Sequence, residues 1–504
     1  MPGEYKVIQG QNKKKEWKNI LFCITIFLVM LVFFTVLHPI PIMDEDDVIY
    51  TVLVRKAVPI PGTWNPSRMM PEVLTSLCGN IAALCTAFGL GRFIDCQVTV
   101  YGIVFSLFIT AYVWAFFRLL RIRFSCSQFQ AVCLSALFLM LHFLVFRTEI
   151  SQNDYLFHTY DACCVFYYTV PAIFGCTLVM WFMATPDDLP VLVGNHLAHE
   201  SVLMLALYFE VFSNLFGSAI LAAYAVYRLL RSAHRKEKPF WKQNLLWSGI
   251  FLFWILAAVL EATGGRAAGA RSQAVSGTLE FPTKVVQAVT LFSGKMWHSN
   301  LLFRFMLLAT IIGTALLMLY RPDRSMNTKT LRTVGETAVW GFFTSLAVLL
   351  LCAAAEPLYA GRPEAVFPIV FVVLLLLMLG INFILKRVSF TVRLLPILLI
   401  LVYTMINTHS LTFQDSNPLL LDGHVAVAIE NEIYEKIIES AKAGETEITV
   451  DVIHSSESAN WPHDGRIGDP IAKFFYKYGI IDHEIRVHTQ PSDEMNMRYH
   501  IPVP

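Results

Sequence analysis

The chain has 504 residues, of which 56% are hydrophobic and 15% are charged, and its formal net charge is +1. This apolar composition excludes an ordinary soluble globular domain and predicts a polytopic membrane protein that contacts the lipid bilayer. The near-zero net charge gives no reason to expect a nucleic-acid partner, so the informative charges are the local clusters.

Apolar segments of membrane length recur along the chain. A spanning helix needs about 20 mainly apolar residues. Residues 197–232 are too long for one helix and predict two spans broken near Ser213 and Asn214, and Leu394–Thr408 adds a short one. The other windows are 19–38, 98–117, 129–146, 163–183, 244–261, 299–320, 333–355 and 366–385. Together they predict about 11 transmembrane helices.

The distribution of Lys and Arg predicts the orientation. If Met70–Leu90 lies along the membrane surface, the basic clusters all face the cytoplasm. If this segment crosses the membrane once, the basic clusters after it would lie on the opposite side. These clusters include Lys13, Arg121, Arg231, Arg324 and Lys386. The resulting topology has a cytoplasmic N-terminus, a first outer loop at 39–97 and an extracytoplasmic C-terminal tail.

The tail differs in pattern from the rest of the chain. Its polar sequence alternates helical and strand periodicities. The predicted elements are a helix at Val425–Ala443, a strand at Glu447–Ile453, a helix at Pro470–Tyr478 and a strand at Glu484–Thr489. We therefore expect an all-α polytopic domain over 1–408, followed by a small α/β domain over 409–504.

An acidic run directly follows the first apolar segment. Asp44, Glu45, Asp46 and Asp47 repel each other and lose solvation at a hydrocarbon boundary unless cations or a metal compensate, and such a cluster suits a general base. The alternative is a solvated loop that ends the helix.

Two other outer segments carry cations. Trp64 is suited to stacking on a sugar ring, and the Arg68 guanidinium is suited to a phosphate, although an interfacial Trp beside a snorkelling Arg is equally ordinary. Arg266 and Arg271 stand in a glycine-containing loop on the side that is usually poor in cations, and His298 follows. An anionic partner or ion pairs with the acidic run would both explain them.

A third group of polar side chains suits hydroxyl-rich ligands. Asn153, Asp154 and His158 precede an aromatic segment, a mixture typical of carbohydrate sites and also of interfacial belts. Glu210 lies near the outer end of its predicted span, where an ionisable residue is a candidate functional group.

Several of these motifs resemble those of the membrane glycosyltransferases of the GT-C fold. The resemblance comes from Asp46 and Asp47 with Tyr50 after the first span, then Trp64 and Arg68, then Gly264-Gly265 with Arg271. It is closest to bacterial O-antigen glucosyltransferase-like polytopic families and extends in layout over nearly the whole chain.

The resemblance implies an inverting transfer from a polyprenyl-phosphate sugar donor to a glycan or lipid-linked acceptor, at the outer face of the bacterial plasma membrane. Asp46 is then the first choice for the base, with Asp47 and Asp44 as alternates, and a divalent metal ion is a possible cofactor. The phosphate-binding residues would be Arg68, Arg266 and Arg271.

Two other functions remain open from the sequence. A transporter or flippase of lipid-linked sugars would place charges near the middle of its spans. A polysaccharide polymerase or ligase would share the lipid-phosphate chemistry.

Overall fold

The computed structural model describes most of the chain. The described residues are 2–42, 45–52, 68–147, 155–157, 162–185, 197–235, 240–263, 281–320, 324–387, 399, 422–454 and 468–503. They are predominantly helical, and the chain is a multi-pass membrane protein.

Most of the described elements are helices. The first ten are α1 (Pro2–Val32), α2 (Glu45–Val52), α3 (Met69–Ala87), α4 (Phe93–Ile122), α5 (Gln128–Leu144), α6 (Ala162–Cys164), α7 (Val170–Ala184), α8 (Leu197–Val211), α9 (Leu215–His234) and α10 (Phe240–Thr263). The next are α11 (Phe281–Trp297), α12 (Leu301–Tyr320), α13 (Arg324–Ala355) and α14 (Phe367–Leu385). The C-terminal elements are α15 (Gly423–Lys442), β1 (Glu447–Ile453), α16 (Gly468–Lys477), β2 (Arg486–Ser492) and α17 (Asp493–Arg498).

Seven helical segments among the described residues are long and apolar enough to cross a membrane. They are Trp17–Leu37, Phe93–Ile122, Ala162–Ala184, Asn244–Thr263, Leu301–Tyr320, Leu331–Ala355 and Phe367–Leu385. Each overlaps a predicted span. The total of 11 stays a prediction, because α5 has only 17 residues and Leu394–Thr408 lies almost wholly outside the described residues.

The predicted break between α8 and α9 is confirmed. α8 ends at Val211 and α9 begins at Leu215. The Asn214 side chain accepts a hydrogen bond of 2.8 Å from the Phe216 amide, which satisfies an amide of the first turn that has no partner within the helix. This capping residue explains why two helices form here.

The chain divides into two compact units. The first comprises residues 1–54, 75–114 and 421–504, and the second comprises 55–74 and 115–420. The predicted boundary between residues 408 and 409 lies outside the described residues.

In the first unit, the C-terminal elements share a hydrophobic core with residues from near the N-terminus. β1 and β2 form a parallel pair in which Ile448 lies opposite Val487. Ile42 and Val48 belong to the same buried cluster as Ile433, on α15. The core of the C-terminal elements therefore includes part of the predicted first outer loop.

Close helix contacts hold α2 and α3 together in this unit. A Cβ atom at Gly79 would lie 2.4 Å from the carbonyl oxygen of Thr51, so only glycine allows this approach. The Tyr478 hydroxyl donates a hydrogen bond to the Asn80 side chain, 398 residues away in sequence. This hydrogen bond attaches the C-terminal elements to α3.

In the second unit, the apolar helices pack through aromatic and small residues. Gly217 of α9 brings its backbone against α7, where an added Cβ would lie 2.7 Å from the Ala172 nitrogen. The Trp254 indole donates to the Ser218 hydroxyl at 3.1 Å. This bond joins a polar side chain of α10 to one of α9 within the apolar packing.

Candidate functional site

Asp47 lies in α2, which begins shortly after the first candidate span. The first span ends in a π-helical turn at Phe33–Leu37. Asp47 and Thr51, four residues apart on one face of α2, have no exposed surface. The Thr51 hydroxyl and the Tyr101 hydroxyl of α4 share a hydrogen bond of 2.8 Å. The face of α2 that carries Asp47 is therefore directed into the first unit.

A second buried carboxylate comes from the C-terminal helix α15. Glu430 and Tyr434 lie one turn apart on α15 and are both buried. Burial raises the pKa of Tyr434 well above its ordinary value, and the neighbouring Glu430, Asp47 and Tyr101 raise it further. Two carboxylates from distant parts of the chain therefore act on the same phenol.

Gln97 lies on the same face of α4 as Phe93 and Tyr101. It lies four residues after Phe93, whose ring centroid is 6.1 Å from that of Tyr434, and four residues before Tyr101. The Gln97 side chain is fully buried, and neither its amide nitrogen nor its oxygen has a hydrogen-bond partner among the described residues. Leaving such groups unsatisfied costs about 1–3 kcal/mol each.

We call these six residues the polar cluster. Its members are Asp47, Thr51, Gln97, Tyr101, Glu430 and Tyr434. They provide two carboxylates, three hydroxyls and one amide within an otherwise apolar core. The carboxylates can accept a proton from a substrate hydroxyl. The hydroxyl and amide groups can orient that substrate hydroxyl by hydrogen bonds.

A polar groove also lies along α15 in the first unit. The Asn431 side chain donates to Asp95 at 3.1 Å, and Arg92 donates to the same carboxylate at 2.8 Å. Arg92 also lies 3.6 Å from Glu435. The groove is open, with a volume of about 520 Å³. Charged and amide groups with this spacing are suited to hydrogen bonding with a hydroxyl-rich ligand.

Arg68, a predicted phosphate-binding residue, is ion-paired in the second unit. Its guanidinium binds the carboxylate of Glu261, near the end of α10. The backbone of Arg68 has a left-handed φ of 59°, and the following amide, that of Met69, donates to the Phe212 carbonyl at 2.8 Å. Arg68 is therefore fixed at the start of α3, with its charge balanced by a residue that the sequence did not single out.

Glu210 is fully buried at the end of α8. Neither of its carboxyl oxygens has a hydrogen-bond partner among the described residues. A Cβ atom at Gly175 of α7 would lie 2.4 Å from one of these oxygens, so the glycine leaves room for the carboxyl group. Such a buried ionisable group in an apolar helix is a candidate functional residue.

The remaining predicted site residues have varied positions. His298 follows α11 and is exposed, and its amide donates to the Gly294 carbonyl at 2.9 Å. The Asp46 side chain lies outside the described part, although its backbone belongs to α2. Predicted residues wholly outside the described ranges are Asp44, Trp64, Asn153, Asp154, His158, Arg266 and Arg271. The roles assigned to these carboxylates and guanidiniums stay predictions.

Sequence reasoning missed several residues of the polar cluster. Gln97 interrupts the start of an apolar span, which was a usable signal. Glu430 and Tyr434 gave no signal, because a carboxylate on an amphipathic helix usually faces solvent. Only their packing against α2 and α4 distinguishes them.

The described residues contain no group of three or more His, Cys, Asp and Glu side chains suited to holding a metal ion. No protein-family model, curated protein or solved structure significantly matches the chain.

Proposed function

We propose that the protein is an inverting glycosyltransferase that moves a sugar from a polyprenyl-phosphate donor to a glycan or lipid-linked acceptor at the outer membrane face. The observation that carries this proposal is the position of Asp47. It is a buried carboxylate in the helix that follows the first span, and it lies near Tyr434 together with Glu430 and Tyr101.

The chemistry requires few groups. The acceptor hydroxyl attacks the anomeric carbon, the bond from that carbon to the lipid-phosphate oxygen breaks, and a carboxylate takes the hydroxyl proton. Because the lipid holds its phosphate at the bilayer surface, the base has to lie near one end of the spans. The acidic run satisfies this requirement, with Asp46 as the first choice for the base and Asp47 and Asp44 as alternates.

The other groups have supporting roles in the proposal. Gln97 offers an amide that can orient the acceptor hydroxyl, and Glu430 provides a second carboxylate beside Tyr434. The departing phosphate would be stabilised by Arg68, Arg266 and Arg271. Trp64, Asn153, Asp154, His158, Glu210 and His298 are candidates for sugar or acceptor contacts. No step in the proposal passes through a metal ion.

The test is a transfer assay on membranes that contain the full chain. Membranes with the unmodified chain, Asp46→Asn or Asp47→Asn are incubated with a panel of polyprenyl-phosphate sugars, and the products are identified by mass spectrometry. We expect one of these variants to lose at least about 100-fold in rate, as is typical when a general base is removed. Asp482→Asn is the matched control, because that side chain is 82% exposed.

Retained transfer after replacing Asp44, Asp46 and Asp47 together by Asn would reject the role of the acidic run. Equal amounts of each variant in the membrane, and equal elution volumes in detergent, show that a loss of rate is not a loss of folding. Product size separates addition of a single sugar from the action of a polymerase or ligase.

Glu210 favours a second candidate, a transporter or flippase of lipid-linked sugars. A buried carboxyl group without a hydrogen-bond partner among the described residues is a feature of proton-coupled transport pathways. Purified protein in liposomes separates the two functions. Movement of a lipid-linked sugar across the bilayer without any transfer, abolished by Glu210→Gln, would favour transport.

A further inference from the structure

A cleft in the second unit carries arginines above an aromatic floor. It lies where Arg123, just after α4, meets the ends of α7 and α9 and the N-terminal half of α13. The cleft has a volume of about 20 Å³, which is room for about one water molecule. A larger ligand would therefore bind at the mouth.

The floor of the cleft is aromatic and buried. Trp340 of α13 and Tyr224 of α9 have ring centroids 6.1 Å apart and are almost completely covered, and Phe182 of α7 lies beside them. The hydroxyl of Thr337, one turn before Trp340 on the same face, is buried without a hydrogen-bond partner among the described residues. An apolar surface that carries one hydroxyl is suited to contact the glycerol portion of a phospholipid.

Counted over the described residues, the rim of the cleft has an excess of positive charge. Glu336 lies 3.7 Å from the Arg231 guanidinium and accepts a hydrogen bond of 3.0 Å from Arg332. One carboxylate is thus shared by two guanidiniums. Arg123 is exposed, and no ion pair joins its side chain to another residue in the described part of the chain. Among the described residues that line the cleft, two guanidiniums, those of Arg123 and Arg231, therefore accompany one carboxylate, that of Glu336.

The cleft also lies at an end of membrane-length helices. Arg123 follows the span Phe93–Ile122, and Glu336 lies in the second turn of the span Leu331–Ala355. Guanidiniums at this level are placed to meet lipid phosphates, and basic pockets between membrane helices bind anionic headgroups.

We infer that this basic cleft, formed by Arg123, Arg231, Glu336, Thr337 and Trp340, binds the phosphate of an anionic phospholipid. The guanidiniums of Arg123 and Arg231 hold the phosphate oxygens, and the glycerol portion lies at the mouth of the cleft. Glu336 competes with the phosphate for Arg231. The inference does not depend on the proposed glycosyl transfer, because it concerns different residues.

The test measures binding of short-chain lipids to the purified full chain in neutral detergent. Dioctanoyl phosphatidylglycerol is the anionic probe, dioctanoyl phosphatidylcholine is the neutral one, and native mass spectrometry counts the bound lipids. We expect tighter binding of the anionic lipid. Arg123→Gln and Arg231→Gln should each weaken it about fivefold, since one cation near the surface is worth about 1 kcal/mol. Glu336→Gln should strengthen binding by removing the competing carboxylate.

Arg235→Gln is the matched control, because this exposed residue caps the same helix, α9, and does not line the cleft. Arg123→Gln breaks no ion pair with a described residue, so its folding should be unaffected. Equal binding of the two lipids, or an equal loss in Arg235→Gln, would overturn the inference. Displacement of the lipid by inorganic phosphate would support a phosphate site and extend it to soluble phosphates, whereas a lack of displacement would restrict the site to lipids.

Discussion

Thr51 and Tyr101 share a hydrogen bond of 2.8 Å between two fully buried hydroxyls, one on the short helix α2 and the other on the long helix α4. This bond fixes the rotation of α2 and therefore the direction of Asp47, which lies one turn before Thr51. Because this hydrogen bond is shielded from water, removing one of its partners lowers the free energy of unfolding.

We predict that Thr51→Val destabilises the protein. The substitution preserves the side-chain shape and removes the buried hydrogen bond to the Tyr101 hydroxyl, at a cost of about 1–3 kcal/mol. Thermal unfolding in detergent should show a melting temperature lower by a few degrees. Thr99→Val is the control, because that exposed hydroxyl bonds only within its own helix, to the Asp95 carbonyl. Equal melting temperatures for the two variants would contradict the importance of the buried bond.

We predict that Gly79→Ala destabilises the contact between α2 and α3. The added Cβ would lie 2.4 Å from a backbone oxygen of α2, which cannot rotate away, so the helices have to separate. A loss of about 1–3 kcal/mol is expected from such overpacking. Gly249→Ala in α10 meets nothing within 4 Å and should stabilise its helix by about 0.5–1 kcal/mol. Thermal unfolding should therefore show a lower melting temperature for Gly79→Ala and a higher one for Gly249→Ala.

The ion pair between Arg68 and Glu261 provides a test of the phosphate role. With side chains 22% and 26% exposed, the pair should contribute about 1 kcal/mol or less to stability. If Arg68 stabilises the departing lipid phosphate, Arg68→Gln lowers the transfer rate far more than Glu261→Gln does. A purely structural pair would make the two variants equally active, which would remove Arg68 from the proposed mechanism.

The C-terminal elements should be more stable at mildly acidic pH because of His483. The carbonyl oxygen of Glu445 and then the Asp482 carboxylate raise the pKa of His483 above its ordinary value. A group with a raised pKa in the folded state stabilises that state fully below the unfolded pKa of about 6.5. The contribution is lost as the pH rises through the folded pKa.

Hydrogen exchange of the β1 and β2 amides, corrected for its intrinsic pH dependence, measures this effect. Opening should be rarer at about pH 5.5 than at about pH 8, and His483→Gln should reduce the difference. The control is His500→Asn, an exposed site whose φ of 56° an Asn tolerates. An unchanged pH dependence in His483→Gln would contradict the assignment.

Local periodicity was enough to predict many elements. The strand Glu447–Ile453 has the predicted bounds, because its alternating residues bury Ile448, Val450 and Val452 on one face. The second strand extends to Ser492, beyond the predicted end at Thr489, because pairing with β1 continues past Gln490 and Pro491. A strand end set by its partner is not visible in the strand's own sequence.

The candidate site was less predictable than the elements. The acidic run marked Asp47, since four carboxylates after an apolar helix are unusual in composition. Its neighbours Glu430 and Tyr434 depend on contacts between segments far apart in sequence, such as the hydrogen bond from Asn431 to Asp95, 336 residues away. The hydropathy of a helix indicates whether it contacts lipid or water. It does not specify which helices pack against each other.

The shared core of α2 and α15 has a consequence for biosynthesis. A ribosome makes Asp47 early and Glu430 late, so the nascent chain inserts its membrane helices before the surroundings of Asp47 can form. A polypeptide terminated before Gly423 would carry all seven candidate spans and still leave its acidic helix without this cover. Formation of the buried surroundings of Asp47 therefore waits for the synthesis of α15, hundreds of codons after α2.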